Sequence, residues 1–125
     1  MSIFNYLPKI GHPFWKVSAI VSCLVLLYLT LTPSVDFIIS FPHIDKLYHF
    51  IAFAGVTFLL MSAFVQINRW MIGFLMLALG LLIEIIQYQI PGRDFSGLDW
   101  LADAFGTFVV LMIFQKRRVE PQTLN

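Results

Sequence analysis

A chain of 125 residues that is 59% hydrophobic and 16% aromatic but only 12% charged carries more apolar surface than one small water-soluble core can bury. Its mean hydropathy of +0.84 points to lipid as the outer solvent. A net charge of +1, with no long basic stretch interleaved with aromatic residues, argues against a nucleic-acid surface, and the single cysteine, Cys23, excludes an internal disulfide or a paired-cysteine metal site.

Taken in chain order, the first apolar segment covers residues 15–31 and is long enough, as a tilted helix, to cross a hydrocarbon layer of ~30 Å. Its length is close to that of a signal peptide. The following TPSVDF lacks a small-x-small cleavage pattern and further spans come after it, so the segment reads as a retained first helix ended by Pro33. The connection 32–46 is the longest, and Phe37, Ile38, Ile39 and Phe41 make it apolar enough to lie in the membrane interface. A second span, 47–65, carries Tyr48 and His49 near its start, with Gly55 offering a close helix contact. After the short QINR turn, a third span, 70–90, holds Glu84 and Gln87 near its end and stops at Pro91-Gly92. The fourth, 98–114, opens with Asp99 and Asp103. The expected fold is all-α: one domain over residues 1–125, an antiparallel bundle of four transmembrane helices.

Lys9, Lys16, Arg69, Lys116, Arg117 and Arg118 fall on one side of this topology, against Lys46 and Arg93 on the other, so both termini are expected in the cytoplasm. The KRR run at 116–118 is then a positive-inside anchor that also attracts anionic lipid. Trp15, Trp70 and Trp100 fall near the expected boundaries, where indole rings anchor at the interface. His12 lies near the cytoplasmic edge without an obvious partner, and His43 reads as a solvated loop residue that can reach the outer cluster.

The acids sort to the outer side: Asp36, Asp45, Glu84, Asp94, Asp99 and Asp103, leaving Glu120 inside. Asp45 and His49 are four apart, Glu84 and Gln87 three apart, and Asp99, Asp103 and Gly106 follow at four and three, so each set occupies one helical face. Because alternate spans reverse direction, the starts of the second and fourth helices meet the end of the third, and one common site is the economical reading. A carboxylate facing lipid costs at least ~2.5 kcal/mol near a helix centre. The acids are therefore expected to face inward, with Lys46, His49, Arg93, Gln87, Tyr48, Tyr88 and Ser96 as possible partners. Glu84 and Asp103, if close, could share a proton. A divalent cation held by Asp45, His49, Glu84, Asp99 and Asp103 answers the same need, although no local ligand signature is present. A hydrogen-bonded network that pins three helices together, with Gly55 and Gly106 allowing close packing, is the structural alternative.

Over residues 43–110 the segments HIDKLYHFIAFAGVTFLL and EIIQYQIPGRDFSGLDWLADAFG make the chain resemble the VanZ-like family of small bacterial membrane proteins. The matching positions are Asp45, Lys46 and His49, then Glu84 and Gln87, then Arg93, Ser96, Asp99 and Gly106. Asp103 departs from the pattern, which has Asn there; it adds an acid beside Glu84, and a role needing a neutral amide carries over only if Asp103 is protonated. The resemblance implies a multi-span protein of the bacterial inner membrane with no settled biochemical activity. The family takes its name from a member linked to low-level teicoplanin resistance, and a resistance phenotype for this chain does not follow.

Three functions are weighed. The first is a binding or accessory protein of the cell envelope, a monomer or an oligomer among membrane lipids, recognising a lipid-linked or amphiphilic anionic molecule in the outer leaflet. Its ligand-binding residues would be Asp45, Lys46, His49, Glu84, Gln87, Arg93, Ser96, Asp99 and Asp103, with Arg93 and Lys46 on the headgroup. The second is an enzyme acting on such a headgroup, with His49, Glu84 and Asp103 as catalytic candidates and metal assistance possible. The third is a small proton-linked transporter using Glu84 and Asp103.

Overall fold

The computed structural model describes residues 7–32, 43–91 and 96–117. Among them the chain forms four helices and no strand: α1 (Pro13–Leu31), α2 (Ile44–Ala63), α3 (Arg69–Tyr88) and α4 (Gly97–Arg117). All four are long and apolar enough to cross a membrane, which makes this a small multi-pass membrane protein. The apolar connection at 37–41 and Arg93 lie outside the described residues, as does Arg118.

Local chemistry sets the helix ends. Pro13 occupies the first helical position of α1, where its missing N–H costs nothing, and the ring of His12 accepts a hydrogen bond from the Phe14 amide at 3.0 Å. His12 thus has a partner that the sequence reading did not give it. Asn68 caps α3 by accepting from Trp70 N at 2.9 Å, and Ser96 caps α4 by accepting from Asp99 N at 3.3 Å. His43 precedes α2 with φ 65°, a left-handed conformation that its exposed position tolerates.

Successive helices run antiparallel, which makes α2 and α4 parallel to each other. They are nonetheless the most intimately packed pair: His49 meets Asp103, Phe50 packs on Phe105, Thr57 meets Thr107 and Phe58 packs on Phe114, all in rising order along both chains. Around the bundle the order is α1, α2, α4, α3, with no close backbone approach between α1 and α4 among the described residues. The approach depends on Gly106, where a Cβ would strike the Phe50 carbonyl oxygen and lie 3.2 Å from Ala54 N. Gly55, expected at a close contact, has open space around it and sits on the exposed side of α2. The reason is phase: Phe53, Val56 and Thr57 define the inward face, and Gly55 falls between them.

The core comprises Phe53, Val56, Met61, Ile72, Met76, Ile83, Val110, Leu111 and Phe114, joined by Leu26 from α1. The other half of α1 packs through Trp15 and Ala19 onto Ala63. Trp15 is buried, with its indole N–H donating to the Pro8 carbonyl at 3.1 Å, and Trp100 donates to the Leu77 carbonyl at 3.0 Å. Both serve helix packing in place of the interface anchoring expected for them. Trp70 remains half-exposed beneath the Arg69 guanidinium, 4.9 Å from its ring centroid. Tyr28, Tyr48 and Tyr88, all exposed, collect at the opposite end, where α1 and α3 finish and α2 begins.

Candidate functional site: a buried His–Asp–Glu cluster at one end of the bundle

The end marked by those tyrosines is also where the polar side chains gather. The α3 positions Gly73, Met76, Gly80, Ile83, Glu84 and Gln87 are buried on one face with the 3–4 spacing of a helix, so the stripe that packs α3 into the core also carries Glu84 inward. On α4 the same rule places Asp99 and Asp103 one turn apart, and on α2 it places Lys46 and His49 toward them.

The resulting network begins near the surface and ends in the core. Lys46 Nζ lies 3.3 Å from Asp45 Oδ2 and 3.4 Å from Asp99 Oδ1. His49 Nε2 lies 3.7 Å from Asp99 Oδ2, while Nδ1 lies 2.8 Å from Asp103 Oδ1. An ionised Asp103 can only accept, so Nδ1 carries the proton of that bond and Nε2 is left as the basic nitrogen of a neutral ring. Glu84 and Asp103 are both 0% exposed. Glu84 Oε2 accepts from the Ser96 amide at 3.1 Å. In a capping box that amide is served by an acid three residues on, within the same helix. Here an acid from α3 takes the place, and Asp99, three residues after Ser96, is left to face Lys46 and His49.

The hydrogen bonding is incomplete at the deepest point. Glu84 Oε1 and Asp103 Oδ2 are buried with no hydrogen-bond partner, and Asp99 Oδ1 meets the Lys46 ammonium only outside hydrogen-bond geometry. Ligand atoms from His49, Glu84 and Asp103 all lie within 4.8 Å of one another.

No family model, curated protein or solved structure matches this chain. Its site is therefore read from its own geometry.

Of the residues singled out in the sequence, His49, Glu84 and Asp103 converge, Asp99 and Lys46 adjoin them, and Asp45 sits at the outer edge, partly exposed through its pair with Lys46. Ser96 acts through its backbone on Glu84 and through its hydroxyl as a helix cap. Gln87 turns elsewhere: its amide donates to the Thr30 carbonyl at 2.7 Å and ties the end of α1 to α3. His43 is exposed.

Two contributors were not foreseen. Gly80 faces the site, because a Cβ there would lie 3.2 Å from Asp103 Oδ2, 3.2 Å from Trp100 Cδ1 and 3.3 Å from Phe53 Cε1. Trp100, held by its bond to Leu77, forms a wall beside the same carboxylate. Gly80 stands one helical turn before Glu84, so periodicity alone could have placed it on this face.

Proposed function

We propose that this protein is a VanZ-like binding protein of the bacterial cell envelope, in which the polar end of the bundle receives the headgroup of a membrane amphiphile. The observation that carries this reading is the graded exposure of a single connected network. Lys46 and Asp45 are partly open at the tyrosine-marked end, His49 and Asp99 are mostly covered, and Glu84 and Asp103 close the bottom. A packing network would not need an accessible mouth at the level where lipid headgroups lie, whereas a headgroup site would. The convergence of the family-like positions Asp45, Lys46, His49, Glu84 and Asp99 supports the same reading.

Charge limits what can bind. The described network holds four carboxylates against Lys46 and a titratable His49. An anionic headgroup therefore needs Lys46 together with a further cation, either Arg93 or a bound ion.

The test is photocrosslinking in native membranes from positions 48 and 96, with position 74 on the exposed face of α3 as the bulk-lipid reference. Positions 48 and 96 are expected to capture a distinct headgroup class, several-fold enriched over position 74 and lost in Lys46→Met. Capture of the same lipid mixture at all three positions would sink the proposal.

A second reading, an enzyme acting on the headgroup, is favoured by the 2.8 Å contact between His49 and Asp103. A buried acid that fixes the ring leaves the other nitrogen able to take a proton from an incoming group. Turnover of an envelope lipid extract by purified protein, abolished in His49→Ala, supports it; no product from folded wild-type protein eliminates it.

A further inference from the structure

We infer that His49, Glu84 and Asp103 form a binding site for a divalent transition-metal cation of the manganese-to-zinc type. This deepens the proposed function, since it concerns the base of the same site, but it stands on separate observations and its test contains no lipid.

The first observation is convergence. One ring nitrogen and two carboxylate oxygens, contributed by three different helices, lie within 4.8 Å of one another. Ligand atoms ~2.1 Å from a shared tetrahedral ion are ~3.4 Å apart, so the widest separation must close by up to ~1.4 Å, shared between two side chains. The second observation is that two of those groups are incomplete. Glu84 and Asp103 are fully buried, yet Glu84 Oε1 and Asp103 Oδ2 meet no donor. Buried carboxylate oxygens without partners are costly and rare, and a cation held by these two carboxylates supplies the positive charge that both groups lack.

The surroundings give these oxygens no help of their own. Glu84 lies within the last five residues of α3, where the partial negative charge of a helix end disfavours a further anion, and the Ser96 amide at the start of α4 serves its Oε2 only, leaving Oε1 without a donor. Asp103 Oδ2 lies beside Gly80, with Trp100 and Phe53 as the other near neighbours of that space, and makes no hydrogen bond. Lys46, the nearest ammonium, is engaged by Asp45 and Asp99 one layer further out.

The donor set then selects the ion. One imidazole with two carboxylates suits manganese, iron, cobalt or zinc better than calcium or magnesium, which favour an all-oxygen shell. Binding through Nδ1 displaces the proton that Nδ1 shares with Asp103 and puts the ring in its other tautomer, whose Nε2–H faces Asp99 at 3.7 Å. A metal here would also supply the positive charge that an anionic headgroup needs above it.

The alternative is that one acid is protonated and donates to the other, which would satisfy the same oxygens without metal. Tag-free protein in lipid nanodiscs, stripped with chelator, is titrated with Co²⁺, Mn²⁺ and Zn²⁺, using Co²⁺ ligand-field absorption, Mn²⁺ spin resonance and calorimetry. The expected result is saturable binding of a single ion per chain, with nitrogen hyperfine coupling from the His49 ring. Glu84→Gln and Asp103→Asn are expected to weaken binding by ~100-fold or more, given that loss of a mere supporting residue often costs 10–100-fold. Cys23→Ser should leave it unchanged. Nitrogen coupling that persists in His12→Gln and His43→Gln assigns the ring to His49 without altering any of the three ligands, so it decides the matter even if the acid variants fail to fold. Absence of saturable binding by wild type, binding without nitrogen coupling, or binding indifferent to both acid substitutions overturns the inference. Metal binding with no enriched lipid capture would instead remove only the headgroup reading.

Discussion

At the scale of single residues, His49 and Asp103 form an unequal pair. Asp103 is fully buried, and its one hydrogen bond goes to the His49 ring, while His49 has Asp99 as a second neighbour and some exposure. Removing the histidine therefore leaves a buried carboxylate with neither oxygen partnered, a situation worth about 3–5 kcal/mol when a buried ion pair is broken. Replacing the acid by its amide leaves an oxygen that still accepts from Nδ1–H, so the loss is that of charge assistance, roughly 1 kcal/mol. His49→Ala is accordingly expected to destabilise the metal-free protein more than Asp103→Asn, by at least ~1.5 kcal/mol, in reversible unfolding in detergent or bicelles. Equal losses, or the reverse order, would show that Asp103 does not depend on the ring.

Between elements, the glycines report how each helix pair is built, and what a Cβ would meet grades them. At Gly106 it would meet the backbone of α2, which cannot step aside, so Gly106→Ala is expected to cost ~3 kcal/mol or more and to separate α2 from α4. At Gly80 the neighbours are two rings and the Asp103 carboxylate at 3.2–3.3 Å, and a cost of ~1–2 kcal/mol is expected together with weakened occupancy of the site. At Gly73 the obstruction is Leu111 Cδ1 at 2.6 Å, the far end of a flexible side chain, which places it below Gly80. At Gly55 nothing lies within 4 Å, so Gly55→Ala should be neutral or stabilising by ~0.5–1 kcal/mol through helix propensity. Thermal unfolding of the four variants checks the order, and a Gly55→Ala loss as large as that of Gly106→Ala would refute the α2–α4 packing. The same pairs explain what the sequence could and could not disclose. The four spans were legible because length and hydropathy are local properties, and the inward faces of Glu84, Asp99 and Asp103 followed from i, i+3 and i, i+4 spacing. The neighbour order was not legible: short connections suggest that sequential helices pack best, whereas Gly106 lets the parallel pair α2 and α4 approach closest. Nor was the partner of Gln87, because the Thr30 carbonyl belongs to a helix end and leaves no mark in side-chain pattern. Trp100 misled for a related reason, since a tryptophan near a boundary reads identically whether its N–H meets headgroups or, as here, a carbonyl on the preceding helix.

For the whole molecule, the parallel course of α2 and α4 brings two helix N-termini to the same end, each equivalent to about half a positive charge. Asp45 and Asp99 in their first turns gain from that field, which accounts for the outer acids without any ligand. At Glu84 it reaches only Oε2, through the Ser96 amide that caps α4, and is opposed by the C-terminal pole of α3, so Glu84 Oε1 and Asp103 Oδ2 form an inner layer that needs another source of positive charge. The basic residues obey a different rule. Among the described residues, Lys9, Lys16, Arg69, Lys116 and Arg117 belong to the end opposite the site, with Lys46 alone on the site's own end. Basic residues beside spans are retained on the cytoplasmic side, and acids have little influence, so the polar cluster is expected at the outer face. Single cysteines introduced by His43→Cys and Gln66→Cys in a Cys23→Ser background test this, because both positions are exposed and lie at opposite ends of α2. A membrane-impermeant maleimide added to intact cells whose outer membrane is open is expected to label position 43 at once and position 66 only after the inner membrane is permeabilised. The inverse pattern would turn the mouth of the site toward the cytoplasm and end the outer-leaflet headgroup reading. It would leave the metal site intact, since the convergence of His49, Glu84 and Asp103 does not depend on which compartment lies above it.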